Sequence, residues 1–265
     1  MSERFEAEEA FHNEWATSVD LDSVMVDASF ESCTAPEGRR IVEWLGDLRG
    51  KQLLDVGCGL GEAAVYFAKQ GAEVTATDLS GEMLALTERV AERHGVRVAT
   101  AKGPAETLPF DDASFDVVYA GNVLHHGDTA AMIDELHRLL RPGGVAVTWD
   151  PLHHNPLINV YRRMATQVRT EDEHPLRIQD LELFRRRFRQ VDHECFWFFT
   201  LLTFVRFFVI ERVHPNKERY WKKVIAEADR LEPFYSRLER WDRHLLGRLP
   251  WLGRYCWNVA VRCVK

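Results

Sequence analysis

Short apolar runs and amphipathic runs take turns along the first 150 residues. Residues 52–56 (QLLDV) are apolar and end at glycines, the pattern of a strand buried on both faces. Residues 62–69 read as a helix and 73–77 as a second strand. Ser80 is a capping residue type ahead of a helix that runs to about His94, with Met83, Leu84, Leu86 and Val90 as its apolar face. Residues 96–100 predict a third strand, 115–120 (FDVVYA) a fourth, and 130–140 a helix stopped by Arg141-Pro142-Gly143-Gly144. Residues 145–149 predict a fifth strand. Strand and helix alternating in this way imply right-handed βαβ units and a parallel sheet covered on both faces.

The pattern divides the chain into four parts. Residues 1–50 predict an N-terminal helical cap over the ligand edge of the sheet, and 51–200 the core. Within the core, 191–199 look like another strand. Residues 201–252 form an insertion too long for a hairpin turn. Residues 253–265 bring the chain back as a last strand, clearest over 257–264 (WNVAVRCV).

Glycine placement adds chemistry to this frame. Asp55-Val56-Gly57-Cys58-Gly59-Leu60-Gly61 follows the first strand, and alternate glycines permit a tight turn with close backbone approach to a ligand. The next helix points its N-terminal amides at the same place, which suits a carboxylate or phosphate. Asp78 ends the second strand, where a carboxylate can accept from both hydroxyls of a ribose. Loop and acid together point to a nucleoside-containing cofactor. The dinucleotide fingerprint G-x-G-x-x-G would need a third glycine where Glu62 stands, so NAD and FAD are disfavoured.

These motifs, with TDLSGEML, AETLPF, FDVVY and LRPGG in that order, resemble the class I S-adenosylmethionine-dependent methyltransferases, and within them the group that includes the ubiquinone and menaquinone biosynthesis enzymes (methyltransferase type 11 domain). The resemblance covers about residues 50–150. It implies an α/β, Rossmann-like, seven-stranded and mostly parallel sheet whose last strand is antiparallel. It also implies S-adenosylmethionine as cofactor. Gly57, Cys58 and Gly59 would approach its methionine part, with Gly61 closing the loop, and Asp55 would help hold its amino group. Asp78 would take the ribose hydroxyls, Leu79 and Met83 would pack on adenine, and Ala105 and Glu106 would edge the adenine pocket. Asn122 would face the methyl group. Members of the family often carry an acid where this chain has Pro104, and Glu106 is the nearest substitute.

Methyl transfer from a sulfonium is an in-line displacement that depends on positioning and exclusion of water, with a base needed only when the nucleophile must lose a proton. Histidines near strand ends are the candidates: His125, His126, His153 and His154, of which His126 and His154 are preferred as catalytic. His12 and Trp15 are placed on a helix closing over the cofactor. Gly121-Asn122-Val123-Leu124 is not an N-P-P-Y-type run, which weakens a reading as an amide or adenine N-methyltransferase. Arg169 to His174 mixes acids with a histidine, but consecutive residues do not converge on one ion, so no metal is expected.

Charge and aromatics bear on the acceptor. The net charge is −7, which argues against nucleic acid as a partner. From Thr200 onward the balance is 14 Lys and Arg against 7 Asp and Glu, so a basic, aromatic-rich tail follows an acidic body. The aromatics of the insertion predict a lid and substrate cavity, with His153, Phe204 and Phe208 as lid or substrate residues. The same composition also suits peripheral membrane contact through 201–252. Both point to a hydrophobic small-molecule substrate such as a quinone, polyketide, terpenoid or lipid. Five scattered cysteines without a CxxC pair fit a reducing cytoplasm, and the polar, acidic first fifteen residues are unlike a signal peptide. Other chemistry on the same cofactor, or binding without catalysis, is the alternative.

Overall fold

A computed structural model describes residues 3–165 and 174–265, and all but the last residue of the acidic cluster 169–174 lies outside them. The chain begins with three helices, α1 (Glu3–Ser18), α2 (Ala28–Glu31) and α3 (Pro36–Leu45). Then come β1 (Gln52–Val56), α4 (Glu62–Lys69), β2 (Glu73–Asp78), α5 (Gly81–Arg93), β3 (Val98–Lys102), β4 (Phe115–Gly121), α6 (Thr129–Leu139) and β5 (Leu140–Pro151). The second half holds α7 (Pro156–Met164), α8 (Leu181–Arg187), β6 (Gln190–Phe196), α9 (Leu202–Val209), α10 (Tyr220–Ala226), α11 (Ala228–Arg248) and β7 (Asn258–Val264).

Caps set several helix starts. The Ser80 hydroxyl accepts from the Met83 amide at 3.0 Å, as its residue type predicts. Asp128 accepts from Ala130 and Ala131 to start α6, and Asn155 accepts from Leu157 and Ile158 to start α7. Pro36 and Pro156 occupy the first turns of their helices, where a missing N–H costs nothing.

The seven strands form one sheet in the order β3-β2-β1-β4-β5-β7-β6. β7 runs antiparallel to both its neighbours, and β1 through β5 are parallel where they pair. Leu53 and Leu54 are both fully buried yet point to opposite faces, so the sheet is covered on each side. One face buries Leu53, Val74 and Val117 under α4 and α5; the other buries Leu54, Val118 and Ala146 under α6 and α8. A third apolar centre, with Trp197, Phe204, Phe207, Tyr220 and Tyr235, holds the second-half helices together. Each such side chain contributes roughly 1.5–3 kcal/mol by leaving water.

Three strands differ in extent from the pattern-based reading. β3 starts two residues later than 96, because the Val96 amide is still taken by the Ala91 carbonyl in the turn after α5. β5 starts at Leu140, since a register shift against β4 between Phe115 and Val117 absorbs the Pro-Gly-Gly segment. β6 ends at Phe196 rather than 199. Trp197 takes a positive φ of 70°, and the amides of Phe198, Phe199 and Thr200 all turn to the Asp242 carboxylate on α11. The Thr200 hydroxyl donates to it as well, at 2.8 Å.

Asp242 thus ties α11 to the turn that follows β6. Asp242→Ala should lower the unfolding free energy by about 2–4 kcal/mol, because it strands buried amides. Chemical denaturation would measure this; a loss under 0.5 kcal/mol would show that the turn holds without the carboxylate.

Candidate active site

Sheet order reverses between β1 and β4: β2 and β3 lie to one side of β1, and β5, β7 and β6 lie beyond β4. Connections leave that point in opposite directions, so a crevice opens at the carboxyl ends of the strands. A cavity of about 300 Å³ occupies it.

The glycine loop forms its floor. Gly57, Gly59 and Gly61 all have positive φ. A side chain on Gly59 would meet nothing, so its backbone faces open space, whereas one on Gly57 would collide with Val123. Asp78, at the tip of β2, accepts from the Gly59 amide at 3.0 Å and the Ser80 amide at 2.9 Å. Each carboxylate oxygen keeps a lone pair for a further donor. Asp55 is buried and lines the cavity, and its Oδ2 has no partner. Burial, and after it the Asp78 charge, push its carboxyl up to about 8. Burial also raises the Glu62 carboxyl, against the pull of Lys222.

α1 closes one side. Its Asn13 accepts from the Ser80 hydroxyl at 2.6 Å, and its Glu9 pairs with Lys102 at the tip of β3. Glu8 lies 2.9 Å from His126 Nδ1. His12 sits beside His126, with ring centroids 6.1 Å apart, and its Nδ1 is buried without a partner. Burial lowers the His12 pKa, against the attraction of Asp78. Trp15 is covered by the Arg219 guanidinium, 3.8 Å above its ring.

The far side is aromatic. Trp149, Trp197, Trp221 and Trp257 line it, with Phe30 and Tyr119. The Trp149 indole donates to the Tyr119 hydroxyl at 2.8 Å. Asn122, just after β4, holds a left-handed φ of 60°, and its amide donates to the Trp149 carbonyl. Glu37, in the first turn of α3, accepts from the Asn258 amide group at 2.6 Å. Burial lifts the Glu37 carboxyl to about 7, against that hydrogen bond.

Most of the residues singled out in the sequence converge here. Asp55, Gly57, Cys58, Gly59, Asp78, Leu79, Ala105, Glu106, Asn122, His126, His12 and Trp15 all line the cavity. Others do not. Gly61 supports the loop from behind: a side chain there would strike Thr87 on α5. Met83 is wholly buried in the core beneath. His153 and His154 fall outside the cavity lining because β5 continues to Pro151 and the chain then bonds to Leu176. Phe204 is a core residue of the helical cap, and Phe208 is exposed. His125 is buried against Asp150, 2.9 Å from Nδ1 to Oδ1, and shapes the turn that presents His126. Pattern reading missed Glu37, Tyr119 and Asn258 as site residues, and had Trp197 and Trp221 only among the aromatics expected to form a lid and substrate cavity. An acid in the first turn of a helix reads as a dipole partner, and only the fold shows that it is buried. Among the described residues no group of three or more His, Cys, Asp and Glu could hold a metal ion.

Glu37 gives a pH test. Its folded-state pKa exceeds its unfolded value of 4.5, so the stability it contributes is present below about 4.5 and lost as pH rises through about 7. Glu37→Gln should therefore stabilise the protein at pH 8 by about 2 kcal/mol relative to its effect at pH 5. Thermal unfolding at the two pH values checks this, and an equal effect at both would contradict the burial argument.

Residues 54–148 match the model of a family described as a methyltransferase domain. Over 134 residues, 50% of this chain, the sequence is 40% identical to the demethylmenaquinone methyltransferase of Chlorobaculum tepidum, of which the match covers 52%. It is 39% identical over 121 residues to the ubiquinone biosynthesis O-methyltransferase of Sodalis glossinidius, covering 44% of this chain and 47% of that protein. The chain spans about half the length of the curated relatives it matches. In fold it is similar to Haemonchus contortus phosphoethanolamine N-methyltransferase 2 in complex with phosphomonomethylethanolamine and S-adenosylhomocysteine. There the TM-score is 0.59 at 20% identity, covering 87% of this chain and 52% of the other. Residues 54–148 thus form a methyltransferase domain by sequence, and the sheet that contains them has the fold of the solved methyltransferase.

Proposed function

We propose that this protein binds S-adenosylmethionine in the crevice and transfers its methyl group to an O, C or N nucleophile of a hydrophobic small molecule, such as a quinone, polyketide, terpenoid or lipid. The observation that carries the reading is the buried, unpartnered Asp55 Oδ2 beside the open backbone of Gly59 and the tip of Asp78. An ammonium suits the first, a carboxylate suits amides at the start of α4, and a ribose suits the third. When bound there, the sulfonium supplies an electrophilic methyl group. Asp55 and the glycine loop hold the methionine part, Asp78 the ribose, and Leu79, Ala105 and Glu106 edge the adenine. Asn122 and His126 stand on the methyl side, and α1 with His12 and Trp15 excludes water. The aromatic half of the cavity suits an apolar acceptor.

Supply of such an acceptor from a lipid phase would use the outside of the cap. Among the described residues no helix is long and apolar enough to cross a membrane. Leu202, Phe208, Val209 and Ile210 are nevertheless exposed on and just after α9, with Arg206 on the same helix and Arg212 just beyond. This composition suits contact with an anionic lipid surface.

Calorimetry tests the cofactor. S-adenosylmethionine should bind one to one, and Asp78→Ala should weaken it at least tenfold. An ammonium beside Asp55 favours its charged form, so binding at pH 7 should release a proton, and affinity should rise between pH 6 and 8. Binding enthalpies in phosphate and Tris buffers would show the proton; NAD binding without S-adenosylmethionine binding would contradict the reading. Co-sedimentation with anionic phosphatidylglycerol vesicles should capture the protein and weaken with salt or with Ile210→Glu. A protein left wholly in solution would reject membrane contact.

A further inference from the structure

The aromatic half of the cavity contains a polar group of residues that cofactor binding does not use. Glu37, Asn258 and Trp197 all line it and are each less than a tenth exposed. Glu37 Oε1 accepts from Asn258 Nδ2, which leaves Asn258 Oδ1 buried without a partner. Trp197 Nε1 is buried as well, and its N–H reaches toward the Glu37 carboxylate, whose charged form it favours. The three come from separate places: the start of α3, the first residue of β7, and the turn after β6. Asn258 pairs across the sheet with Pro151 of β5 and Phe196 of β6. That is the half of the sheet opposite the glycine loop and Asp78, which sit on β1 and β2. A buried acceptor without a partner, beside a carboxylate flanked by an indole N–H, on one wall of the aromatic half of the cavity matches a single small group that both donates and accepts, which is a hydroxyl.

We propose that Glu37 is the general base for a hydroxyl-bearing aromatic acceptor, a phenol, whose oxygen is methylated, and that Asn258 and Trp197 position that oxygen. This rests on the methyltransferase reading above and narrows its acceptor. In the step, the phenol oxygen forms a bond to the methyl carbon as the carbon–sulfur bond breaks. The bonding pair of that bond stays on sulfur, giving neutral S-adenosylhomocysteine. The phenol proton passes to the Glu37 carboxylate and leaves to solvent after product release. Glu37 is suited to this because its carboxyl is raised to about 7, close to working pH. The charged and titratable groups facing it are Arg39 on its own helix, Tyr235 on α11 and Cys256 before β7. The four tryptophans supply the apolar, ring-matching wall for the rest of the acceptor.

The test uses the full chain with S-adenosylmethionine, 4-octylphenol as acceptor and 4-octylaniline as comparison, following S-adenosylhomocysteine release. An aniline nitrogen attacks through its lone pair and needs no base. The wild type should methylate the phenol faster than the aniline. Its kcat/KM should rise tenfold per pH unit below about 7 and level off above it. Glu37→Gln should bind S-adenosylmethionine within threefold of the wild type, lose at least 100-fold in phenol turnover at pH 8, and lose the inflection. Glu37→Asp should restore the inflection with an intermediate rate. Independently of turnover, carbon-13 NMR of glutamate carboxyls in wild type loaded with S-adenosylhomocysteine should show one resonance titrating near 7 that moves when 4-octylphenol is added. The inference is overturned if the phenol is not methylated, if the aniline is preferred, or if Glu37→Gln turns over within threefold. Titration of every glutamate in the ordinary range overturns it too, even where Glu37→Gln does not fold. Absence of S-adenosylmethionine binding by the wild type overturns the underlying methyltransferase reading instead.

Discussion

Reversal of strand order at β1 and β4 is the constraint on which the rest of the structure depends. A parallel sheet carries its connections over both faces, and only where they diverge can the carboxyl edge stay open. The floor of the crevice is there because strands meet the sheet edge there. Gly57 follows β1, Asp78 ends β2, Asn122 follows β4, Trp197 follows β6 and Asn258 begins the antiparallel β7. The antiparallel β7 matters for this reason: it brings the start of a strand, and not its end, to the same edge.

Burial at that edge makes the site electrostatically demanding. Asp55, Glu62, Asp78 and Glu37 all line one cavity, and burial raises each carboxyl. Few cations answer them from within the protein. Lys222 faces Glu62, and Arg219 is committed to the face of Trp15. The arrangement is complementary to a cationic ligand on the Asp55 side and to a proton donor on the Glu37 side. α1, α3 and α10 then act as a cover. Beside their apolar packing, α1 and α3 make polar contacts at the crevice: Asn13 with Ser80, Glu8 with His126, Glu37 with Asn258. α10 is held from its backbone, where Thr34 donates to the Val224 carbonyl.

The glycine-loop half of the site was legible in the sequence because its determinants are local. A strand, three glycines and a helix start fall within eleven residues, and Ser80 with Met83 forms a cap that can be read from spacing alone. The aromatic half was not legible, because its polar residues meet only through the fold. Glu37 and Asn258 are 221 positions apart, and neither sits in a motif. Chemistry-bearing residue types were also misleading. His153 and His154 looked placed at a strand end, but β5 outlasts its apolar core and carries them past the cavity. Phe204 and Phe208 lie one turn apart on one helix and close to the same face, yet the first is buried in the cap and the second, near the helix end, is exposed. The strands were predicted with errors of two to five residues where a turn amide, a register shift or the Asp242 carboxylate decided the boundary.

A crystal structure with S-adenosylmethionine tests the central claim most directly. The account predicts ribose hydroxyls within hydrogen-bond distance of Asp78, the ammonium against Asp55, and the methyl group directed at the half lined by Trp197, Glu37 and Asn258. A nucleoside bound elsewhere, or a methyl group turned away from that half, would contradict it.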